Sequence, residues 1–143
     1  MRWWFNTDTK TDANFLTPSL KMKNNSARAL SLFRRFRVMR GKEIAFGPGK
    51  MELSEWVAET GSIGKAAKRM KMSYMRAWSL IQTMNTCFKE PVIKAVRGGN
   101  ERGGAEVTGA GRRVLKLYRQ MEKDSLRAVR PNWRKLQTHL HDG

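Results

Sequence analysis

The chain is poor in the residues that most catalysis and metal binding require. Its 143 residues include one cysteine, Cys87, so an internal disulfide and a cysteine zinc site are both excluded. A reducing, intracellular setting fits that usage. The two histidines, His139 and His141, stand near the C-terminus. A Ser-His-Asp or Cys-His site would have to be built around a fraying tail. Asp and Glu total only 12, lie mostly among basic residues, and offer no pair with the look of a general-acid or metal couple. No apolar run approaches the ~18 residues of a membrane span. Met1 to Phe5 is too short for a signal peptide. The stretch Phe46-Gly47-Pro48-Gly49-Lys50 lacks the glycine spacing and the following Ser or Thr of a phosphate loop. No catalytic residue, metal site or cofactor is expected, and the chain does not read as an enzyme.

What is present is positive charge. Lys and Arg total 29, which gives a net charge of +17. That balance points to a polyanionic partner, nucleic acid before an anionic membrane. The 40% hydrophobic content suits a globular fold with a modest core. The length allows one domain with tails.

Three regions follow from the pattern. Residues 1–35 mix aromatics, Asn, Thr and Lys without periodicity and read as a variable N-terminal extension, with a short helix from Ser26 through Leu30 and Phe33 as an alternative. Residues 36–108 hold the main domain. Phe36–Arg40 and Glu43–Phe46 read as strands around a Gly41-Lys42 type II′ turn, with Phe36, Val38, Ile44 and Phe46 as the buried face. Pro48 opens a helix with Met51, Leu53, Trp56 and Val57 at helical spacing, and Gly61 closes it. Ser62 caps a short helix faced by Ala66, Ala67 and Met70. A sharp turn at Lys71-Met72 leads to Ser73, which caps a third helix from Tyr74 to Phe88. Its inner face is Ala77, Leu80, Ile81, Met84, Cys87 and Phe88, and Trp78 reads as packing at the core edge. Val92–Arg97 and Ala105–Val107 read as strands around a glycine-rich loop. Residues 109–143 begin a long helix capped by Thr108 and continue into a basic tail. Pro131 is expected to break or kink that helix, with Trp133, Leu136 and Leu140 in one more short helical piece.

Helix, tight turn, helix, strand, glycine loop, strand, long helix is the order of a winged helix-turn-helix, mainly α with small β. Such a third helix fits the major groove, the helix before it faces the backbone, and the wing brings backbone and Arg close to DNA. The expected contact set is therefore Ser62, Lys65, Lys68 and Lys71 around the second helix and the turn after it. To it the third helix adds Ser73, Tyr74, Met75, Arg76, Ser79 and Gln82, and the wing adds Arg97, Gly98, Gly99, Asn100 and Arg102. Ser, Arg and Gln can hydrogen-bond base edges, and lysines pair with phosphates.

The runs Phe46 to Gly49 (FGPG), Glu59 to Met70 (ETGSIGKAAKRM) and Met72 to Trp78 (MSYMRAW) resemble the ModE family of molybdenum-dependent transcriptional regulators. So do Met84-Asn85 and the paired glycines before Val107-Thr108 and Gly111-Arg112. The likeness covers about residues 36–122. It lies in that family's N-terminal DNA-binding domain, itself similar to the LysR-type helix-turn-helix. It implies double-stranded DNA as partner, dimerisation and a cytoplasmic, nucleoid-associated protein. Full-length members continue into β-rich oxyanion-binding domains, which this chain is expected to lack, so an oxyanion effector has no support within it.

The expected function is a sequence-specific regulator acting as a homodimer through the long helix, with Val114, Leu117, Tyr118 and Met121 at the contact. Alternatives are a nonspecific architectural nucleic-acid-binding protein, which the charge would suit, or a small oxyanion-responsive sensor module.

Overall fold

The computed structural model describes residues 30–32, 35–97 and 104–141. A hairpin comes first, β1 (Val38–Arg40) and β2 (Glu43–Phe46). Three helices follow: α1 (Pro48–Thr60), α2 (Ile63–Arg69) and α3 (Tyr74–Cys87). A second hairpin, β3 (Ile93–Val96) and β4 (Gly104–Val107), leads into the long helix α4 (Gly109–Gln137). Leu30–Leu32 carry no regular structure; the remainder of the alternative helix, like most of the N-terminal extension, lies outside the described residues.

Local chemistry sets the boundaries. Pro48 sits in the first turn of α1, where its missing N–H costs nothing. Gly61 ends α1 at φ +66 and returns its N–H to Val57 O. Ser62, Ser73 and Thr108 each cap the next helix, accepting from Lys65 N, Arg76 N and Gly111 N. In the first hairpin Gly41 takes φ +60 while Lys42 keeps a negative φ, the combination a type II′ turn needs.

The core lies between the three helices, the second hairpin and the first third of α4. Phe46, Leu53, Val57, Ile81, Met84, Val92 and Leu115 fill it. The ring of Phe46 stands at its centre, edge-on to Tyr118 at 5.1 Å and to Phe88 at 6.1 Å. Such pairs add about 0.5–1.5 kcal/mol beyond their burial. The Tyr118 hydroxyl donates to Phe36 O at 2.9 Å and ties α4 to the start of the hairpin.

Two charged groups are drawn inward. Lys50 is buried on α1 and donates to Ile44 O, and burial lowers its pKa. Arg119 on α4 reaches Glu55 on α1 (Nε to Oε1, 3.1 Å) and Glu122 on its own helix (3.3 Å). Burial pushes the Glu55 carboxyl up despite that partner, and the two carboxylates hold the Arg119 guanidinium above its ordinary value against the pull of burial.

Three expectations are corrected. Val38 and Ile44 are not on a buried face; they are 37% and 39% exposed, whereas Ala45 and Phe46 are buried side by side. The cause is a bulge. Val38 pairs with Phe46 and Met39 with Ile44, so Ala45 is the extra residue and the alternation of faces breaks there. The first wing strand is shorter than expected, since Val92 and Arg97 lie outside β3, while β4 begins one residue early at Gly104. Pro131 does not end α4, which runs unbroken to Gln137 and includes Trp133 and Leu136. The carbonyl that Pro131 leaves without a donor lies on an exposed stretch, where water can serve it.

Candidate nucleic-acid interface

Between α2 and α3 the chain reverses within four residues. Met70 N returns to Ala66 O and Met72 N to Ala67 O, both at 3.0–3.1 Å. Lys71 takes φ +54, the left-handed region, and is the only non-glycine residue to do so among those described. Ser73 then starts α3. Ala66 and Ala67 are buried, which lets α2 and α3 cross closely, as the alanine pattern anticipates.

Ala77, Ile81 and Met84 turn α3's inner face to the core. The opposite face carries Met75, Ser79, Gln82 and Thr86, all exposed, with Met75 at 69%. Tyr74 and Arg76 are exposed beside them. Trp78, 36% exposed, lies on the same flank. Lys65, Lys68 and Lys71 are exposed on α2 and the turn, and Ser62 is half-buried at the start of α2.

The second hairpin is antiparallel, with Ile93 opposite Val107 and Val96 opposite Gly104. Its loop-side end is bonded to the helix-turn-helix: Ala105 N donates to Gly61 O at 2.9 Å, and Ser62 bridges Gly104. Arg97 is exposed where β3 ends. Gly98, Gly99, Asn100 and Arg102 lie outside the described residues. Lys94 and Glu106 pair across the strands at 3.0 Å, both more than half exposed.

Four residues support this arrangement without having been singled out for a role from the sequence. Asn85 clamps the wing to α3: its carbonyl accepts from Val92 N (2.9 Å) and Ile93 N (3.2 Å), and its amide donates to Ile93 O (2.7 Å). Thr60 caps the α1–α2 junction, donating to Trp56 O at 2.7 Å and accepting from Ser62 N. Arg69 lies over the Trp56 ring, 5.1 Å from its centre. Arg40 donates to Thr86 O at 2.9 Å and holds the first hairpin against the end of α3. Of these, Thr60, Arg69 and Asn85 lie in the runs that resemble a known family, while Arg40 carried no such signal.

On α4, Leu117 and Met121 are 66% and 47% exposed and Val114 is half-buried. Tyr118, expected beside them, is 2% exposed and belongs to the domain's own core. It lies one turn beyond Leu115 on the face that meets Phe46.

A three-helix unit with a tight α2–α3 turn and a hairpin bonded to its side is a winged helix-turn-helix domain. Over about half its length the chain is homologous to ModE regulators. It is 40% identical over 78 residues to the molybdenum transport protein ModE of Azotobacter vinelandii, covering 54% of this chain and 29% of that protein. It is 38% identical over 71 residues to the transcriptional regulator ModE of Yersinia pestis, covering 50% and 27%. It is 35% identical over 71 residues to the DNA-binding transcriptional dual regulator ModE of Escherichia coli, again covering 50% and 27%. The chain thus spans under a third of the length of these relatives. A solved structure described as a CbnR_DBD–DNA complex is similar at a TM-score of 0.48 and 20% identity, covering 62% of this chain and 95% of that one. No family model matches the chain.

Proposed function

We propose that the chain is a sequence-specific DNA-binding transcriptional regulator that acts as a homodimer. The observation that carries the reading is the exposed face of α3, where Ser79 and Gln82 stand with Met75 and with Arg76 beside them, next to a hairpin bonded to the same helix-turn-helix. The named functions of the ModE relatives support it.

In this reading α3 enters the major groove, with Tyr74, Met75, Arg76, Ser79 and Gln82 toward the bases. Ser62, Lys65, Lys68 and Lys71 meet the phosphates, Ser73 adds to the set at the bases, and Arg97 at the end of β3 meets the flanking groove. Residues 36–108 form the DNA-binding domain, and the helix that follows joins two copies through Val114, Leu117 and Met121. Dimerisation sets two α3 helices for a two-fold site with half-sites about 34 Å apart. The protein acts in the cytoplasm, at the nucleoid.

Selection of bound sequences from random duplex, followed by footprinting, tests the reading. A discrete protected site supports it. Even protection along any duplex replaces it with an architectural role. Arg76→Ala should cost about 1–3 kcal/mol on the selected site if the guanidinium reads a base. Equal weakening on selected and random duplex would reduce Arg76 to a phosphate contact.

A further inference from the structure

One face of α4 is used neither by the core nor by the helix-turn-helix. At ~100° per residue, Arg112, Lys116, Lys123, Arg127, Arg130 and Arg134 fall within a sector of about 60°. All six are exposed. No acidic residue shares the sector. At ~1.5 Å per residue it runs for about 33 Å, close to one turn of duplex DNA. Arg112 donates to Val107 O at 3.0 Å, and Arg127 lies 3.8 Å from Asp124. Lys116, Lys123, Arg130 and Arg134 have no ion pair among the described residues.

The sector lies to one side of the face that α4 turns to the domain. Gly111, Leu115 and Tyr118 define the buried side of α4. Leu126, Val129, Trp133 and Leu136 continue that line beyond the domain, about a third of a turn from the basic sector. The helices α3 and α4 lie against the same core, and the Phe46 ring stands between Phe88, just past α3, and Tyr118 of α4. The core therefore lies between the inner faces of α3 and α4.

We propose that the basic face of α4 is a second nucleic-acid track, which grips the sugar-phosphate backbone of a duplex other than the one at α3. The proposal rests on the reading of the chain as a DNA-binding protein and extends it. Charge complementarity identifies the occupant. Four of the six cations are arginines, whose planar fork matches phosphate oxygens two at a time. They are ranked along one continuous helix at a length that suits a duplex. A membrane-surface helix would need its apolar side free for lipid, and the first third of that side in α4 is already in the core.

Bridging measures this directly. One duplex is fixed to beads, the full chain is added, and retention of a second, labelled duplex is read. The wild-type chain should retain it. The variant Lys116→Gln, Lys123→Gln, Arg130→Gln, Arg134→Gln should still load onto the beads and lose the labelled duplex at least tenfold. Glutamine keeps helix propensity, and circular dichroism checks that α4 persists. A control with Arg35→Gln, Arg37→Gln, Lys42→Gln and Lys89→Gln removes the same charge from other exposed positions and should bridge as the wild type does. Bridging retained by the α4 variant, or lost equally by the control, overturns the proposal. So does binding of the α4 face to anionic phosphatidylserine vesicles in place of the second duplex. A wild-type chain that binds one duplex and bridges none overturns this inference alone; a chain that binds no duplex overturns the underlying reading as well.

Discussion

Asn85 satisfies the first two residues of the wing with one side-chain amide. Val92 and Ile93 are buried, so their backbone groups have no water to turn to if the amide is removed. Asn85→Ala should cost about 1–3 kcal/mol of stability, read by chemical denaturation, and should weaken DNA binding through a loosened wing. Unchanged stability would show that the three bonds are replaced. Lys71 carries a different load, because its backbone adopts a region that costs an L-residue roughly 1–2 kcal/mol. Lys71→Gly should leave stability equal or slightly higher while lowering DNA affinity, and Lys71→Asn should do the same. A loss of stability in both variants would mean the side chain itself holds the turn. The turn at Lys71 was legible, because the apolar spacing of α2 and α3 leaves too few residues for anything but a reversal. The work of Asn85 was not: its partners lie seven and eight residues on, around a bend that spacing rules do not encode.

At the scale of elements, Gly111 is the most tightly enclosed of the described glycines, where α4 crosses the wing base. A Cβ on Gly111 would overlap the Val92 carbonyl oxygen and stand 2.7 Å from Val107 Cγ1. Gly111→Ala should destabilise by about 1–3 kcal/mol or more, a fall of roughly 4 °C or more in Tm for a domain of this size. An unchanged Tm would mean that α4 can shift away freely. The Glu55–Arg119–Glu122 group ties α4 to α1 with a pH signature. Because burial raises the folded pKa of Glu55, the folded state holds that proton more tightly than the unfolded chain does. Its penalty is absent below the ordinary value of 4.5, grows as pH rises from there through the raised value, and is complete above it. Glu55→Gln should therefore gain stability relative to the wild type as pH rises through that window, by an amount reduced by solvent screening. A constant difference from pH 4 to 7 would refute the assignment. Helix starts were readable because Pro48, Ser62, Ser73 and Thr108 act on their own neighbours. The hairpin's faces were not, because one bulged residue, Ala45, reverses the alternation after it. Pro131 misled for a related reason: a proline's cost depends on whether its surroundings are wet.

For the whole molecule, net charge was legible from composition, while the gathering of cations on one side of α4 emerges only from the unbroken helix. If a dimer neutralises about 6–10 phosphates, its affinity should fall roughly a thousandfold or more between about 50 and 200 mM salt. A flat salt response would remove the electrostatic argument. The dimer itself is tested by sedimentation equilibrium at micromolar concentration. Leu117→Asp with Met121→Asp should give a folded monomer with weak DNA binding, since both side chains are exposed in the single chain. A dimer mass that survives would move the interface along the helix.

The fit at Gly111 makes a fulcrum. With no space for a methyl group between α4 and the carbonyl of Val92, the helix cannot tilt there without pushing on the wing base. The arm beyond that point, about 26 residues to Gln137, is roughly 39 Å long. A tilt of about 5° at the fulcrum moves the far end by some ~3 Å over that length. Read the other way, a pull of a few ångströms on the end of α4 arrives at the hairpin as a small rotation, with leverage of the arm behind it.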